Sequence, residues 1–232
     1  DKRYRVRCQL GVRTATADAE GEVLETRPVV KYSREQLEQV LNGFRGSIEQ
    51  IPPMYSALKH QGQRLYKLAR QGVEVERQPR PVEIHELTLE GQGDDWIDIS
   101  VHCSKGTYIR TLAEDIGEKL GCGAHVSILR RTAVGPYGED QLVTLDTLRE
   151  LKEKDMPAMD RLLLPIESAL TQWPDVNLSS DAAFYLQQGQ PVLVPHAPTS
   201  GWVRLYEGEH SFLGMGEILD DGRVAPRRIM KT

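Results

Sequence analysis

The run Cys103-Ser104-Lys105-Gly106-Thr107-Tyr108-Ile109-Arg110-Thr111-Leu112 constrains this chain more than any other. An apolar strand pattern ends in a tight Lys-Gly turn and passes directly into apolar residues at helical spacing, Ile109, Leu112, Ala113, Ile116 and Leu120, with Gly121 and Gly123 as a stop. Strand, turn and helix follow without a linker, and Arg110 falls in the first turn of the helix. That turn carries partial positive charge, so a cation there is disfavoured unless an anion sits against it. Arg110 therefore asks for a carboxylate or phosphate partner. The bland alternative is a solvated surface arginine.

The same two periods organise the rest of the chain. Tyr4, Val6, Cys8 and Leu10 alternate with Arg3, Arg5, Arg7 and Gln9, the mark of a half-buried strand with a basic outer face. Residues 14–21 read as a polar loop. Ser33 with Gln36 forms a capping-box signature ahead of Leu37, Val40, Leu41 and Phe44. Ile51-Pro52-Pro53-Met54-Tyr55-Ser56 is not helical, because Pro53 forces its predecessor extended. Leu65, Leu68 and Ala69 predict a short helix stopped by Gly72. Strands near 81–90 and 96–103, separated by Gly91-Gln92-Gly93-Asp94-Asp95, suit a hairpin, and a further strand spans Ala124 to Val134. Helical segments run from about Asp146 to Leu170, broken at Pro157 and Pro165. After Trp173-Pro174 come a helix from Ser179 to Gln188 and short strands around 191–195, 202–206, 211–218 and 223–230, which suggest a compact barrel. The fold class expected is α+β: a mixed, mostly antiparallel sheet with flanking helices over residues 1–172, and a small β-barrel over 173–232.

Charge is unevenly divided. Residues 1–80 hold 15 Lys and Arg against 10 Asp and Glu, although the whole chain carries −5. Nucleic acid is held by local basic footprints rather than by net charge. Three candidates are Arg3, Arg5, Arg7 and Arg13; Lys59, Arg64, Lys67, Arg70, Arg77 and Arg80 around Tyr55 and Tyr66; and Arg223, Arg227, Arg228 and Lys231. Taken singly, each also reads as a solvated face. Cys8, Cys103 and Cys122 are odd in number and irregular in spacing, which argues for reduced thiols in a cytoplasmic protein. No run approaches a membrane span. G-x-S-x-G, H-E-x-x-H and G-x-x-x-x-G-K-[ST] are absent, which removes support for those hydrolases, metalloproteases and nucleotide-binding proteins. Cys122-x-x-His125 with His102-Cys103 hints at zinc, but neighbours on a strand face opposite ways and make poor joint ligands. His60, His85, His196 and His210 show no metal or triad spacing, so no metal is expected.

Several longer segments carry a family likeness: Asp1-Lys2-Arg3-Tyr4-Arg5-Val6, the Thr14-x-Thr16-x-Asp18-x-x-Gly21 loop, Ile51 to Lys59, Cys103 to Thr111, and Gly121 to Arg131. In this order the chain resembles the TruB-type tRNA pseudouridine synthases, and most closely the stand-alone bacterial branch; the last domain resembles a PUA barrel. The resemblance implies isomerisation of the T-loop uridine at tRNA position 55, flipped out of its stack to be reached, with no cofactor, metal or guide RNA, and a monomer. It also implies a catalytic aspartate in a G-x-L-D-P-x-A-x-G-like motif N-terminal to the Asp-Lys-Arg-Tyr strand. No such motif occurs in these residues, so the chain reads as a fragment, inactive alone, whose nucleophile lies before Asp1.

On the same resemblance, Tyr4 stacks on the target base and Arg110 pairs with that aspartate. Leu129 is an apolar pocket residue, and Asp18 is a loop aspartate near the flipped nucleotides. Ala15 departs from the family, which often has a further aspartate there. From the residues alone, Tyr4 and Leu129 would read as core and Asp18 as a turn former. Lys59 and Arg64 would follow the T-arm backbone, and Arg227 and Arg228 the acceptor stem. Two other readings stay open: a tRNA-binding or folding module without catalysis, and a guide-RNA-dependent synthase.

Overall fold

The alternation at the start of the chain becomes an inner strand of the first of two units, Asp1–Gln141. Here β1 (Lys2–Leu10) buries Tyr4, Val6, Cys8 and Leu10 and turns its arginines outward. It leads into a small antiparallel pair, β2 (Val12–Thr14) and β3 (Val23–Thr26), then α1 (Arg34–Asn42), β4 (Gly46–Gln50), the two-residue strands β5 (Lys59–His60) and β6 (Gln63–Arg64), and α2 (Leu65–Arg70). The hairpin of β7 (Arg80–Gln92) and β8 (Trp96–Cys103), helix α3 (Ile109–Leu120) and β9 (Ala124–Val134) complete the unit. Its five-stranded sheet has the order β4-β7-β8-β1-β9, with every neighbouring pair antiparallel. The structure, a computed structural model, describes residues 1–208 and 211–230; His210 and Lys231 lie outside them.

One face of this sheet is the core. Tyr4, Val6 and Cys8 meet Ile97, Ile99 and Val101 of β8 and Leu87 and Leu89 of β7 in one cluster with Leu37 and Leu41 of α1 and Ile109, Leu112, Ala113 and Ile116 of α3. The capping box at α1 forms as its sequence predicts: Gln36 N–H donates to Ser33 Oγ at 3.3 Å, and Ser33 N–H donates to Gln36 Oε1 at 2.8 Å. The three cysteines are free and buried, and burial pushes the Cys8 thiol up to about 12, which leaves it inert.

The other face holds charge in pairs. Arg7 grips Asp98 at 2.8 and 2.7 Å and lies 4.1 Å over the Trp96 ring, Arg3 meets Glu86 at 2.7 Å, and Arg5 meets Glu139 at 3.2 Å. The basic stripe is thus matched by carboxylates of its own sheet and neighbouring loop. His102, on this face, is held below its ordinary range by burial and by nearby Arg3.

The second unit runs from Leu142 onward. It holds α4 (Leu145–Lys154), α5 (Met156–Asp160), a 3-10 turn at Ile166–Leu170, β10 (Asp175–Leu178), α6 (Ser180–Gln187), β11 (Gly201–Glu207), β12 (Ser211–Ile218) and β13 (Val224–Ile229). Pro157 sits in the first turn of α5, where its missing N–H costs nothing. Val176, Leu178, Ala183, Leu186, Val203, Leu205, Leu213 and Val224 form its core. The short strands expected to form a small barrel make, among the described residues, a four-stranded sheet, β10-β11-β12-β13, with β10 parallel to β11. The strand expected at 191–195 reduces to one bridge, Val192 with Val224, because Pro191 and Pro195 leave too few N–H groups for a ladder. No helix among the described residues is long and apolar enough to cross a membrane.

Helix α3 comes close against the start of β9 at Gly117. A Cβ there would fall inside the backbone of Gly123 and Ala124, which cannot yield as a side chain would. Gly117→Ala is expected to destabilise the protein by about 1–3 kcal/mol through overpacking, read as a lowered midpoint in urea unfolding.

Candidate active site

Helix α3 begins without a side-chain cap of its own. Its first backbone groups are held instead by Gln50, at the end of β4, which is 2 % exposed. Tyr108 N–H donates to Gln50 Oε1 at 2.9 Å, and Gln50 Nε2 donates to the Tyr108 carbonyl at 3.2 Å. A buried amide with both ends satisfied fixes the point from which Arg110 projects. Sequence reasoning passed over Gln50, because one glutamine at a strand end carries no periodic signal.

The anion that Arg110 requires is, in this structure, Asp18. Arg110 Nη1 donates to Asp18 Oδ2 at 2.8 Å and to the Thr16 carbonyl at 3.2 Å, while Nη2 donates to the Tyr55 carbonyl at 2.7 Å. Side-chain exposures of 25 and 27 % place this ion pair mostly out of water. The loop that supplies Asp18 is itself tied down. Thr14 Oγ1 donates to the Asp18 carbonyl at 2.7 Å, Thr16 Oγ1 and the Glu20 N–H donate to the Asp18 carboxylate, and Val126 N–H of β9 donates to the Ala17 carbonyl at 3.0 Å. Ala17 adopts φ 57°, a left-handed conformation costing about 1 kcal/mol for a residue with a Cβ, and these bonds hold it there. Burial works against the ionised Asp18, but the hydrogen bonds from Thr16 and Arg110 outweigh it and keep the carboxyl below its ordinary range.

Beside this pair lies a pocket of about 300 Å³, lined by Thr16, Met54, Tyr55, Arg77, Thr111 and Asp115 among others. Thr111 and Asp115 are one helical turn apart and so share a face. Burial, reinforced by Glu114 and Glu118, pushes Asp115 up to about 6. Asp115 escaped sequence reasoning because an acid in mid-helix reads as a solvated face until the neighbouring loops are seen to fold over it.

The other candidates are distributed as follows. Tyr4 is 8 % exposed in the core cluster, with the Arg131 guanidinium 5.6 Å from its ring centre. Leu129 stands one strand away, opposite Val6, and is 47 % exposed. Lys59 and Arg64 face each other across the β5–β6 hairpin, exposed and without ion pairs among the described residues. That hairpin is joined to the site by Leu65 N–H to Leu58 carbonyl at 2.8 Å and Tyr66 N–H to Ser56 carbonyl at 3.1 Å. Arg227 is engaged by Glu217 at 2.8 Å, whereas Arg228, exposed on the same strand β13, has no ion pair among the described residues. Cys122 and His125 do not meet: His125 Nδ1 contacts the Val12 carbonyl at 3.0 Å, and Cys122 lies against Gly117.

Residues 1–109 match the family profile described as TruB family pseudouridylate synthase (N terminal domain), residues 110–171 the tRNA pseudouridylate synthase B C-terminal domain, and residues 174–230 the profile pseudouridine synthase II TruB, C-terminal. The chain is 57% identical over 230 residues to a Nitrosococcus oceani protein named tRNA pseudouridine synthase B, covering 99% of this chain and 75% of that protein. It is 52% identical over 238 residues to an Escherichia coli protein of the same name, covering 99% of this chain and 76% of that one. Among solved structures, a Cbf5-Nop10-Gar1 complex matches with TM-score 0.69 at 22% identity, over 99% of this chain and 65% of that one. An H/ACA RNP bound to a substrate RNA containing 2'-deoxyuridine matches with TM-score 0.70 at 20% identity, over 100% and 66%. The chain thus spans just under two thirds of those solved chains, and at such identities they share its fold.

The two carboxylates respond oppositely to pH. Asp18, held below its unfolded value, contributes stability that is present above about pH 4 and lost as pH falls through its folded value. Asp18→Asn is therefore expected to cost about 1–3 kcal/mol at pH 7, a difference that shrinks as the solution is acidified below about pH 4. Asp115, held above its unfolded value, contributes stability that is full below about pH 4 and lost as pH rises through its folded value of about 6. Asp115→Asn is expected to be the more stable protein at pH 8 by about 2 kcal/mol and equal to the parent below about pH 4. Urea unfolding across pH measures both.

Proposed function

The chain belongs to the TruB family of pseudouridylate synthases, and from that premise we propose that it carries the substrate pocket of a tRNA pseudouridine synthase acting on the T-loop uridine at position 55. The observation that carries this reading is convergence on Arg110. Residues 14–21, 51–59 and 103–111 lie far apart in sequence, yet each supplies part of the Arg110 cluster, and β9 anchors it through Val126. These are the segments that carry the family likeness.

The chemistry explains why such a cluster is useful. Uridine becomes pseudouridine when the bond from N1 to the sugar breaks, the base turns, and C5 bonds to the same sugar carbon. C5 then loses its proton and N1 gains one, so no oxidant or reductant is needed. A base stacked in the T-loop is out of reach, so it is flipped into the pocket, where an aromatic face can hold it at about 1–3 kcal/mol. Tyr4 takes that role in our reading, with Arg131 withdrawing from over its ring. A carboxylate attacks the sugar or the base, or steadies the detached fragments. We assign this carboxylate to an aspartate outside these 232 residues. Arg110 would orient and keep ionised that carboxylate as it does Asp18 here, since a guanidinium offers a planar fork of donors and can serve two acceptors at once. Leu129 would form an apolar wall for the base, and Asp18 would stand beside the flipped nucleotide as the counter-charge to Arg110.

RNA would be gripped by basic residues of each unit. The exposed Lys59 and Arg64 hairpin with α2, anchored to the site at Ser56 and Leu58, suits the phosphates of the T-arm. Residues 173–232, with Arg227 and Arg228, suit the acceptor stem. Binding through phosphates falls steeply with salt. The names of the relatives at 52 and 57% identity support action on tRNA. Guide-dependent catalysis remains the reading to be tested against it.

The test is tritium release from T-arm RNA bearing 5-tritiated uridine, with purified protein and no guide RNA. Release is the expected result for protein that carries the nucleophile; a requirement for guide RNA would replace this reading with the guide-dependent one. In the active protein, Arg110→Lys loses the two-acceptor fork and is expected to lower the single-turnover rate by about 100-fold or more, while RNA affinity measured by filter binding changes little. Unchanged release by this variant would leave Arg110 a structural residue, whereas RNA binding without any release by the parent would favour a binding module over a synthase.

A further inference from the structure

Apart from the Arg110 cluster, and sharing no residue with it, three metal-ligating side chains meet at the start of β1. The register of β7 on β8 slips between Ile84 and Glu86, so that Ile84 faces Cys103 while Glu86 faces His102. The extra residue in this bulge is His85. A bulge re-aims the side chain it carries, and here it brings the His85 ring to 4.7 Å from that of His102. Asp1, preceding β1, places its Oδ2 3.2 Å from His85 Nε2. One ligand atom from each of Asp1, His85 and His102 lies within 4.8 Å of the others.

The chemistry of this set selects its ligand. Two imidazole nitrogens and one carboxylate oxygen suit a borderline divalent ion such as zinc, whereas magnesium and calcium prefer oxygen alone. In a tetrahedral site with bonds of about 2.0–2.1 Å, neighbouring donor atoms lie about 3.3 Å apart. The Asp1–His85 separation already matches this, and both side chains are exposed enough, at 54 and 34 %, to rotate the rest of the way. His102 Nδ1 is buried with no hydrogen-bond partner, a desolvation that nothing in the protein offsets; a cation on the ring would offset it. The adjacent positive charge, Arg3, is matched by Glu86 at 2.7 Å, so it does not repel an ion unopposed. Cys103 contributes nothing, since it faces the core.

We propose that Asp1, His85 and His102 bind a zinc ion, completed by water, which staples the start of β1 to the β7 bulge. Such a staple would fix the strand that carries Tyr4, and it takes no part in the isomerisation.

The test is calorimetric titration of metal-stripped protein with zinc chloride, alongside His85→Gln and His102→Gln, with zinc per chain counted by native mass spectrometry. One zinc per chain at micromolar affinity is expected, weakened by about tenfold or more in each variant. Zinc should also raise the thermal midpoint of the parent and not that of His85→Gln. The part-exposed His85 makes its variant the decisive one if His102→Gln does not fold. Parent affinity weaker than about 100 μM, or equal affinity in the parent and His85→Gln, overturns the proposal.

Discussion

The two-residue period of β1 is the constraint on which the rest of the first unit depends. A pleated strand must send alternate side chains to opposite faces, and β1 lies between β8 and β9 within the sheet. Tyr4, Val6, Cys8 and Leu10 therefore face the layer that α1 and α3 cover, and the intervening arginines face away from it. Each of those arginines finds a carboxylate, Asp98 on the adjoining β8, Glu86 one strand further on β7 and Glu139 in the segment after β9, because a row of like charges on a sheet face would otherwise repel itself. At exposures like those of Arg3 and Arg5 such pairs add little stability; they set which face is buried.

The site is a second-order consequence of that layering. Helix α3 must lie on the apolar face, and Gly117 lets it approach β9 until the backbones touch. Its first turn then emerges where two long loops cross. Gln50 holds the turn from one side, and the 14–21 loop and the Tyr55 carbonyl close on Arg110 from the others. A guanidinium placed against the positive end of a helix is costly unless it is fully occupied. Its three acceptors in this structure meet that requirement and so join segments far apart in sequence. The neighbouring Asp115 shows the opposite electrostatics: an acid with no ion pair among the described residues, kept protonatable near neutrality by burial and by like charges.

Much of this was legible beforehand. The β1 and β9 strands, the β7–β8 hairpin, the Ser33–Gln36 cap and the Gly121 stop follow from local patterns, and the structure places them close to the expected residues. The need of Arg110 for an anion was legible too, from helix electrostatics alone. The identity of that anion here was not, because Asp18 lies in another loop and nothing local links the two. The strand order of the second unit was not legible for a related reason. Short strands with glycine turns fit several sheet orders, and the parallel pairing of β10 with β11 joins residues far apart in sequence.

The sequence by itself determined which faces of β1 and α3 are buried, where many of the strands and helices start and stop, and that the first turn of α3 must meet negative charge. Those follow from periods of 2 and 3.6 residues and from the dipole of the backbone, all acting over a few positions. Only the tertiary structure decided which residues meet: Asp18 with Arg110, Gln50 with Tyr108, and, through one extra residue in β7, His85 with His102. Register and bulges are set by the summed packing of whole strands. A single-residue slip costs little locally, yet it decides which side chains stand within bonding distance.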